Sequence, residues 1–360
     1  MPQVNANGIT LEVETHGDPS HPPLLLIMGL GAQLTLWPVE FVEALVARGF
    51  YVVRFDNRDI GLSTKFTDAG RPNFVALVLK AKIGLKPRLP YHLTDMAADA
   101  VALLDALGLP KAHVVGVSMG GMIGQLVAAT WPDRVLSLTS IMSTTSNPKL
   151  PPPGKAALAA LTAPVPPGGG VEDYVRIGQM RAAAIGSPGY PADLQRQRDR
   201  LTAEYHRSFH PTGPARQYAA ILADGDRRQR LKAITAPTLV MHGEDDPLIT
   251  VHGGQDTAAS IPGARLITYP GMGHDLPAQL FDLIAVCARH AIGLVVLAGG
   301  NYDLKASESV GSAFGQVADP QKLRREQRQQ PQLTYGRSRR LSEVAQGLFL
   351  ARYVEQKEPE

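Results

Sequence analysis

Cysteine is almost absent: Cys287 is the only one in 360 residues. One thiol cannot close an intrachain disulfide and is too few for a cysteine-based zinc or iron–sulfur site, which points to a reducing compartment or to indifference to redox state. Charge of one sign is scarce as well. Thirty-six Lys and Arg stand against 33 Asp and Glu, a balance of +3, and residues 301–360 alone hold +2 of it with ten basic against eight acidic side chains. The remainder is nearly neutral and carries no basic stripe with interleaved aromatics, which argues against a nucleic-acid partner. No run approaches roughly 18 consecutive apolar residues, so no membrane span is expected. Met1-Pro2-Gln3-Val4-Asn5 lacks a charged segment followed by an apolar one, and the chain reads as cytoplasmic. What is present is ordinary globular material, 44% hydrophobic and 19% charged, long enough for about two domains or one large domain with an insertion.

Short β-branched or leucine-rich runs alternate with longer helical patterns. Strands are expected at Ile9 to Thr15, Leu24 to Met28, Tyr51 to Phe55, Ala112 to Val117, Val135 to Met142, Thr238 to His242 and Arg265 to Tyr269. Helices are expected at Pro38 to Arg48, Leu93 to Leu107, Met119 to Thr130, Gly253 to Ser260 and Pro277 to His290. This alternation predicts an α/β fold with a mostly parallel central β-sheet flanked by helices. Leu24-Leu25-Leu26-Ile27 and His113-Val114-Val115-Gly116-Val117 are apolar without alternation, as central strands covered on both faces should be. The rhythm breaks between about Asn147 and Ala236. A proline- and glycine-rich stretch from Pro148 to Gly170 is expected to hold no regular element, and helical patterns follow at Val171 to Ile185, Ala192 to Phe209 and Ala215 to Asp224. The expected organisation is a core of residues 1–146 and 236–291, a helical cap or lid insertion at 147–235, and a C-terminal extension, 292–360, without a recognisable role. A smaller excursion, Thr64 to Pro90, has no clear place.

Gly116-Val117-Ser118-Met119-Gly120 is a G-x-S-x-G lying after an apolar strand and before a helical pattern. A sharp strand-to-helix turn there would expose Ser118, and the amide of Met119 would face developing negative charge. A lone serine is a poor nucleophile and needs a base, itself oriented by a carboxylate. Glu244-Asp245-Asp246-Pro247 follows one later strand, and Pro270-Gly271-Met272-Gly273-His274 follows the next. Ser118, then an acid, then His274, each just past its own strand, is the order a nucleophile, acid and base take in such a sheet. Asp245 and Asp246 compete for the acid, with Asp246 favoured beside Pro247, while Glu244 reads as a solvated loop residue and His242 as a packed one. His206 and His210 are four apart on a helical pattern but lack a carboxylate partner, so no metal site is expected. The turn Met28-Gly29-Leu30-Gly31 should supply the second oxyanion amide, from Leu30. Gly29, Leu30 and Met119 are also the expected substrate contacts. These glycines do not complete a dinucleotide-binding G-x-G-x-x-G, and no cofactor is expected.

With these motifs and Asp56-Asn57-Arg58-Asp59-Ile60-Gly61-Leu62-Ser63, the chain resembles the α/β-hydrolase family over residues 5 to about 291. More narrowly, Met28-Gly29, Trp37-Pro38, the Asp-Asn-Arg-Asp turn and Pro270-Gly271-Met272-Gly273-His274 resemble bacterial carboxylesterases related to aclacinomycin methylesterase. Two positions depart from that pattern: Met28 stands where the family commonly has histidine, and residues 292–360 have no counterpart. The resemblance implies a serine esterase with Ser118, Asp246 and His274 as its triad, acting on small to medium, fairly apolar ester substrates. A cofactor-free perhydrolase of the haloperoxidase type using the same triad, and a hydrolase-like protein that only binds a small ligand, are the alternatives. Tyr174, Met180, Ile185, Leu194, Leu201 and Tyr205 would roof the site or pack within the cap. Oligomeric state is not encoded in any motif.

Overall fold

Asn7-Gly8 adopts positive φ at both positions, 49° and 75°, the turn chemistry that matches the twist of an antiparallel hairpin. It joins strand β1 (Gln3–Ala6), which lacked any expectation above, to β2 (Ile9–His16). The computed structural model describes residues 3–75, 77, 87–166, 168–281 and 352–353, all in one of the chain's two compact units, residues 1–295 with 351–360. Along it follow β3 (Pro23–Ile27), α1 (Val39–Val46), β4 (Tyr51–Phe55), α2 (Leu93–Ala106), β5 (Ala112–Val117), α3 (Met119–Thr130) and β6 (Val135–Ile141). Between β6 and β7 (Thr238–Gly243) lie, among the described residues, α4 (Lys155–Thr162), α5 (Val171–Ile185), α6 (Leu194–Arg207), α7 (Gly213–Asp224) and α8 (Arg228–Leu231). Helix α9 (Val251–Ser260), β8 (Arg265–Tyr269) and the two-residue β9 (Arg352–Tyr353) complete the order.

The sheet runs β1-β2-β4-β3-β5-β6-β7-β8-β9. From β4 to β8 every pairing is parallel, and β1, β2 and β9 add antiparallel edges. Alternate residues of the apolar runs explain why both faces are covered. Leu25, Ile27 and Val114 pack with Met96 of α2 and Ile123 of α3, while Leu24, Leu26 and Val115 pack with Trp37 and Phe41 on the opposite side. The chain leaves β3 in one direction to reach β4 and later returns to β3's other side as β5, so the strand order reverses at the β3/β5 boundary. Loops at the C-terminal ends of adjacent strands diverge at such a point, which makes it a crevice for ligands.

Glycine is what lets α3 approach that boundary. A Cβ on Gly120 would lie 2.6 Å from the Ile27 carbonyl carbon and 2.8 Å from the Met28 carbonyl oxygen, backbone that cannot step aside. Gly120→Ala is therefore expected to destabilise the protein by about 1–3 kcal/mol through overpacking, seen as a lower midpoint in chemical denaturation with an unchanged slope.

One expectation needs revision. The proline-rich stretch does hold an element, α4, because Lys155–Thr162 lies between Pro153 and Pro164 and is alanine- and leucine-rich with no breaker inside. Helix α8 also had no expectation, being only four residues long. Of the helix expected at Pro277 to His290, a 3-10 turn at Ala278–Leu280 is present, and residues 282–290 lie outside the described residues, as does the extension apart from β9. The excursion at Thr64 to Pro90 is likewise described only in part.

Candidate active site

Residue 118 is where β5 must turn into α3 within one position. Ser118 does so at φ 54°, ψ −119°, a conformation that costs a non-glycine residue of order 1–3 kcal/mol. Its amide donates to Ile141 O at 2.9 Å and its carbonyl accepts from Ser143 Oγ at 2.8 Å, so both neighbouring peptides are held by β6 and the turn beyond it. Gly116 and Gly120, on either side, approach so closely that a Cβ on Gly116 would lie 2.7 Å from Gly121 N.

Ser118 Oγ lies 3.0 Å from His274 Nε2, and His274 Nδ1 lies 2.7 Å from Asp246 Oδ2. Asp246 Oδ1 also accepts the amides of Leu248 and Ile249, each at 2.9 Å. Burial opposes ionisation of Asp246. The facing His274 charge, contacts from the His242 and His274 rings and the His242 charge outweigh it and hold the carboxyl well below the usual carboxylate range. An ionised carboxylate only accepts, so Nδ1 of His274 carries the proton and donates, leaving Nε2 as the acceptor for the Ser118 hydroxyl. This is the tautomer a general base requires.

Of the competing acids, Asp246 reaches His274, whereas Asp245 turns away and accepts the Gly271 amide at 2.7 Å. Glu244 is taken by Thr268 Oγ1 at 2.8 Å. His242 is fully buried, donates from Nε2 to Ile249 O at 2.7 Å and stands 3.5 Å from Asp246 Oδ2. It is packed, as expected, but packed beside the acid. His210 faces Arg216 and Asp59, and His206 is exposed against the Tyr205 ring.

The turn after β3 lies directly against Ser118: a Cβ on Gly29 would be 3.3 Å from Ser118 Cβ. Among the described residues, no hydrogen bond engages the amide of Leu30 or that of Met119. Neighbouring groups hold the turn from several sides. Asn57 Nδ2 donates to Met28 O at 3.0 Å, Leu34 N donates to Asp56 Oδ1 at 2.7 Å, and Gly31 N donates to Gln217 Oε1 at 2.8 Å. Gln217, fully buried on α7, also donates from Nε2 to Arg58 O at 2.8 Å, so one amide ties the turn to the Asp56–Ser63 segment.

That segment is a landing place for the helices between β6 and β7. Arg207 at the end of α6 pairs with Asp56 at 2.7 Å, and Arg216 of α7 grips Asp59 through Nε and Nη2 at 2.6 and 2.8 Å. Gln217, Arg207 and Arg216 were not foreseen from sequence, because each meets its partner across more than 150 positions and no local pattern marks such a pairing. Of the expected apolar roof, Tyr174 and Tyr205 form a ring cluster with Phe209 at centroid distances of 4.9 to 5.8 Å. Leu201 is buried, whereas Met180 and Leu194 are exposed.

Comparison with known proteins places these elements in a family. The model of the α/β-hydrolase fold matches residues 22–278. Rhodomycin D methylesterase from Streptomyces peucetius is 32% identical over 302 residues, covering 78% of this chain and 95% of that protein. An enzyme named 3-oxoadipate enol-lactonase 2, from Acinetobacter baylyi, is 28% identical and covers 70% of this chain and 82% of its own length. In structure, the enol-lactonase of Burkholderia xenovorans superposes with a TM-score of 0.59 at 22% identity, covering 81% of this chain and all of that one. A mostly parallel sheet whose strand order reverses at the β3/β5 boundary, matched by the family model over residues 22–278, means that this chain belongs to the α/β-hydrolase fold family.

Proposed function

We propose that the protein is a serine hydrolase of carboxylic esters, with Ser118 as nucleophile, His274 as general base and acid, and Asp246 as the group that orients the imidazole. The observation that carries this reading is the continuous chain from Ser118 Oγ to Nε2 at 3.0 Å and from Nδ1 to an ionised, buried Asp246 at 2.7 Å. In the reaction, Ser118 Oγ attacks the ester carbonyl while its proton passes to Nε2, and Asp246 stabilises the imidazolium that forms. The amides of Leu30 and Met119 would take the tetrahedral oxyanion, each such donor being worth about 3–4 kcal/mol. The imidazolium returns its proton to the departing alcohol. Water, activated by the same histidine, then attacks the acyl-enzyme and releases the acid, and these steps draw on the chain's own groups.

The substrate in this reading is a small-molecule ester, and the similarity to rhodomycin D methylesterases makes a methyl ester the first to try. Residues 147–235 would act as the cap over a core of 1–146 and 236–291, with Gly29, Leu30 and Met119 touching the acyl group. A cytoplasmic site of action fits the single cysteine, and no helix among the described residues is long and apolar enough to cross a membrane.

The test is hydrolysis of p-nitrophenyl acetate, butyrate and octanoate and of an aromatic methyl ester, combined with labelling by a fluorophosphonate. A serine hydrolase should gain one reagent mass, located at Ser118 by peptide mapping, and lose activity in proportion to labelling. Turnover that persists in fully labelled protein, or no labelling at Ser118, contradicts the proposal.

A further inference from the structure

The histidine loop does not stand on the sheet alone. Its backbone is stitched to residues 185–189, the end of α5 and the turn after it. His274 N donates to Ile185 O at 2.7 Å and Gly189 N donates to Gly271 O at 2.9 Å. Between these two bonds, Ser187 Oγ accepts the Gly273 amide at 2.9 Å and gives its own proton to Asp275 Oδ1. One hydroxyl therefore grips the residues on both sides of His274. Contact between the two segments is close: a Cβ on Gly273 would lie 2.7 Å from Ile185 O, and one on Gly189 would lie 2.8 Å from Gly271 Cα. Ser187 is 8% exposed, so water does not readily replace it. Burial pushes the Asp275 carboxyl up, against the pull of Ser187 and His274.

We propose that Ser187 is a positioning residue for His274, acting through the Gly273 amide and the Asp275 carboxyl to fix the imidazole between Ser118 and Asp246. The inference rests on His274 being the base of the proposed hydrolase. Peptide planes on both sides of residue 274 set where the ring can point, and the Ser118–His274 bond has little tolerance, since a displacement of about 1 Å can cost on the order of 100-fold in rate. The helices between β6 and β7 then supply part of the catalytic geometry as well as covering the sheet.

Ser187→Ala removes the hydroxyl at little steric cost. With p-nitrophenyl butyrate, kcat per fluorophosphonate-titrated site is expected to fall about 10- to 100-fold while KM stays within about threefold. Ser187→Thr, which keeps the oxygen, should restore most of kcat. Should Ser187→Ala fold poorly, Asp275→Ala removes the other half of the grip, and its kcat per titrated site should fall in the same way. A serine that merely braces the fold would lower the melting temperature and the fraction of titratable sites but leave kcat per site alone. A kcat per site within twofold of wild type in Ser187→Ala, or a loss that Ser187→Thr does not restore, overturns the proposal. Ser118→Ala run in parallel separates the two levels. If Ser118→Ala keeps a kcat within about tenfold of wild type, the serine-hydrolase reading falls; if its kcat collapses by several orders of magnitude while Ser187→Ala is unimpaired, only the role of Ser187 falls.

Discussion

Ser118→Ala is expected to lower kcat for ester hydrolysis by roughly four to six orders of magnitude, the range seen when a serine nucleophile acting with its base is removed. The rest of the site should persist. Ser118 is held through its backbone, by Ile141 O and Ser143 Oγ, and alanine keeps those bonds. The variant should therefore fold with nearly wild-type stability and still bind an unreactive ester analogue. Residual hydrolysis above the buffer rate would report what the free amides near Leu30 and Met119 contribute without a nucleophile. Stopped-flow acyl-enzyme detection, which should give a burst in the wild type and none in the variant, checks the step itself. An equal burst in both would remove Ser118 from the mechanism.

Arg216→Met is expected to destabilise the fold by about 3–5 kcal/mol, because it strands a carboxylate rather than deleting a surface contact. Asp59 is fully buried and accepts two bonds from Arg216, one from Tyr91 Oη at 2.7 Å and one from the Phe66 amide at 2.9 Å. Without the arginine a buried charge keeps only those last two bonds and the His210 ring, 3.4 Å from Asp59 Oδ1. For a chain of this size the melting temperature should drop on the order of 10 °C. The exposed pair Arg196–Glu40 is the contrast: both side chains are 54% exposed at 2.7 Å, and Arg196→Ala should change stability by less than about 1 kcal/mol.

The pH dependence has a defined sign. Burial raises the Asp59 carboxyl, but the Arg216 hydrogen bond and its companions outweigh it and leave it lowered in the folded protein. The wild type therefore holds this contribution above the unfolded carboxylate range and loses it as pH falls through the lowered value. In the variant, burial without the arginine raises the same group, so protonation relieves the penalty. The stability gap between the two proteins should narrow on acidification, and a gap that widens would show that Asp59 is not the stranded group.

Much of this was legible beforehand for a physical reason. Strands such as Leu24-Leu25-Leu26-Ile27 record burial on both faces in their own composition, and Ser118, Asp246 and His274 each sit within a few residues of a strand end. Their meeting follows once neighbouring parallel strands bring those ends together. Asn7-Gly8 carried a hairpin signal strong enough to have yielded β1. Proline density obscured α4, although its ten inner neighbours from Gly154 to Ala163 contain no proline. Partners joined across the fold left no trace of that kind: Ser187 looks like any loop serine, and Gln217 and Arg216 look like polar residues on an amphipathic helix. Their roles come from tertiary contacts that no window of sequence contains.

The grip of residues 185–217 on Gly31, Asp56, Asp59 and the 271–275 loop bears on how this protein can be recombined. Exchanging residues 147–235 with the matching segment of a relative would transplant arginines, an amide and a hydroxyl away from the carboxylates and backbone groups they answer. Chimeras that move the segment alone should be poor catalysts whatever their pocket accepts. Productive crossovers would carry the three short recipient stretches as linked cargo, so the inherited unit is a discontinuous set of contacts and not a run of sequence.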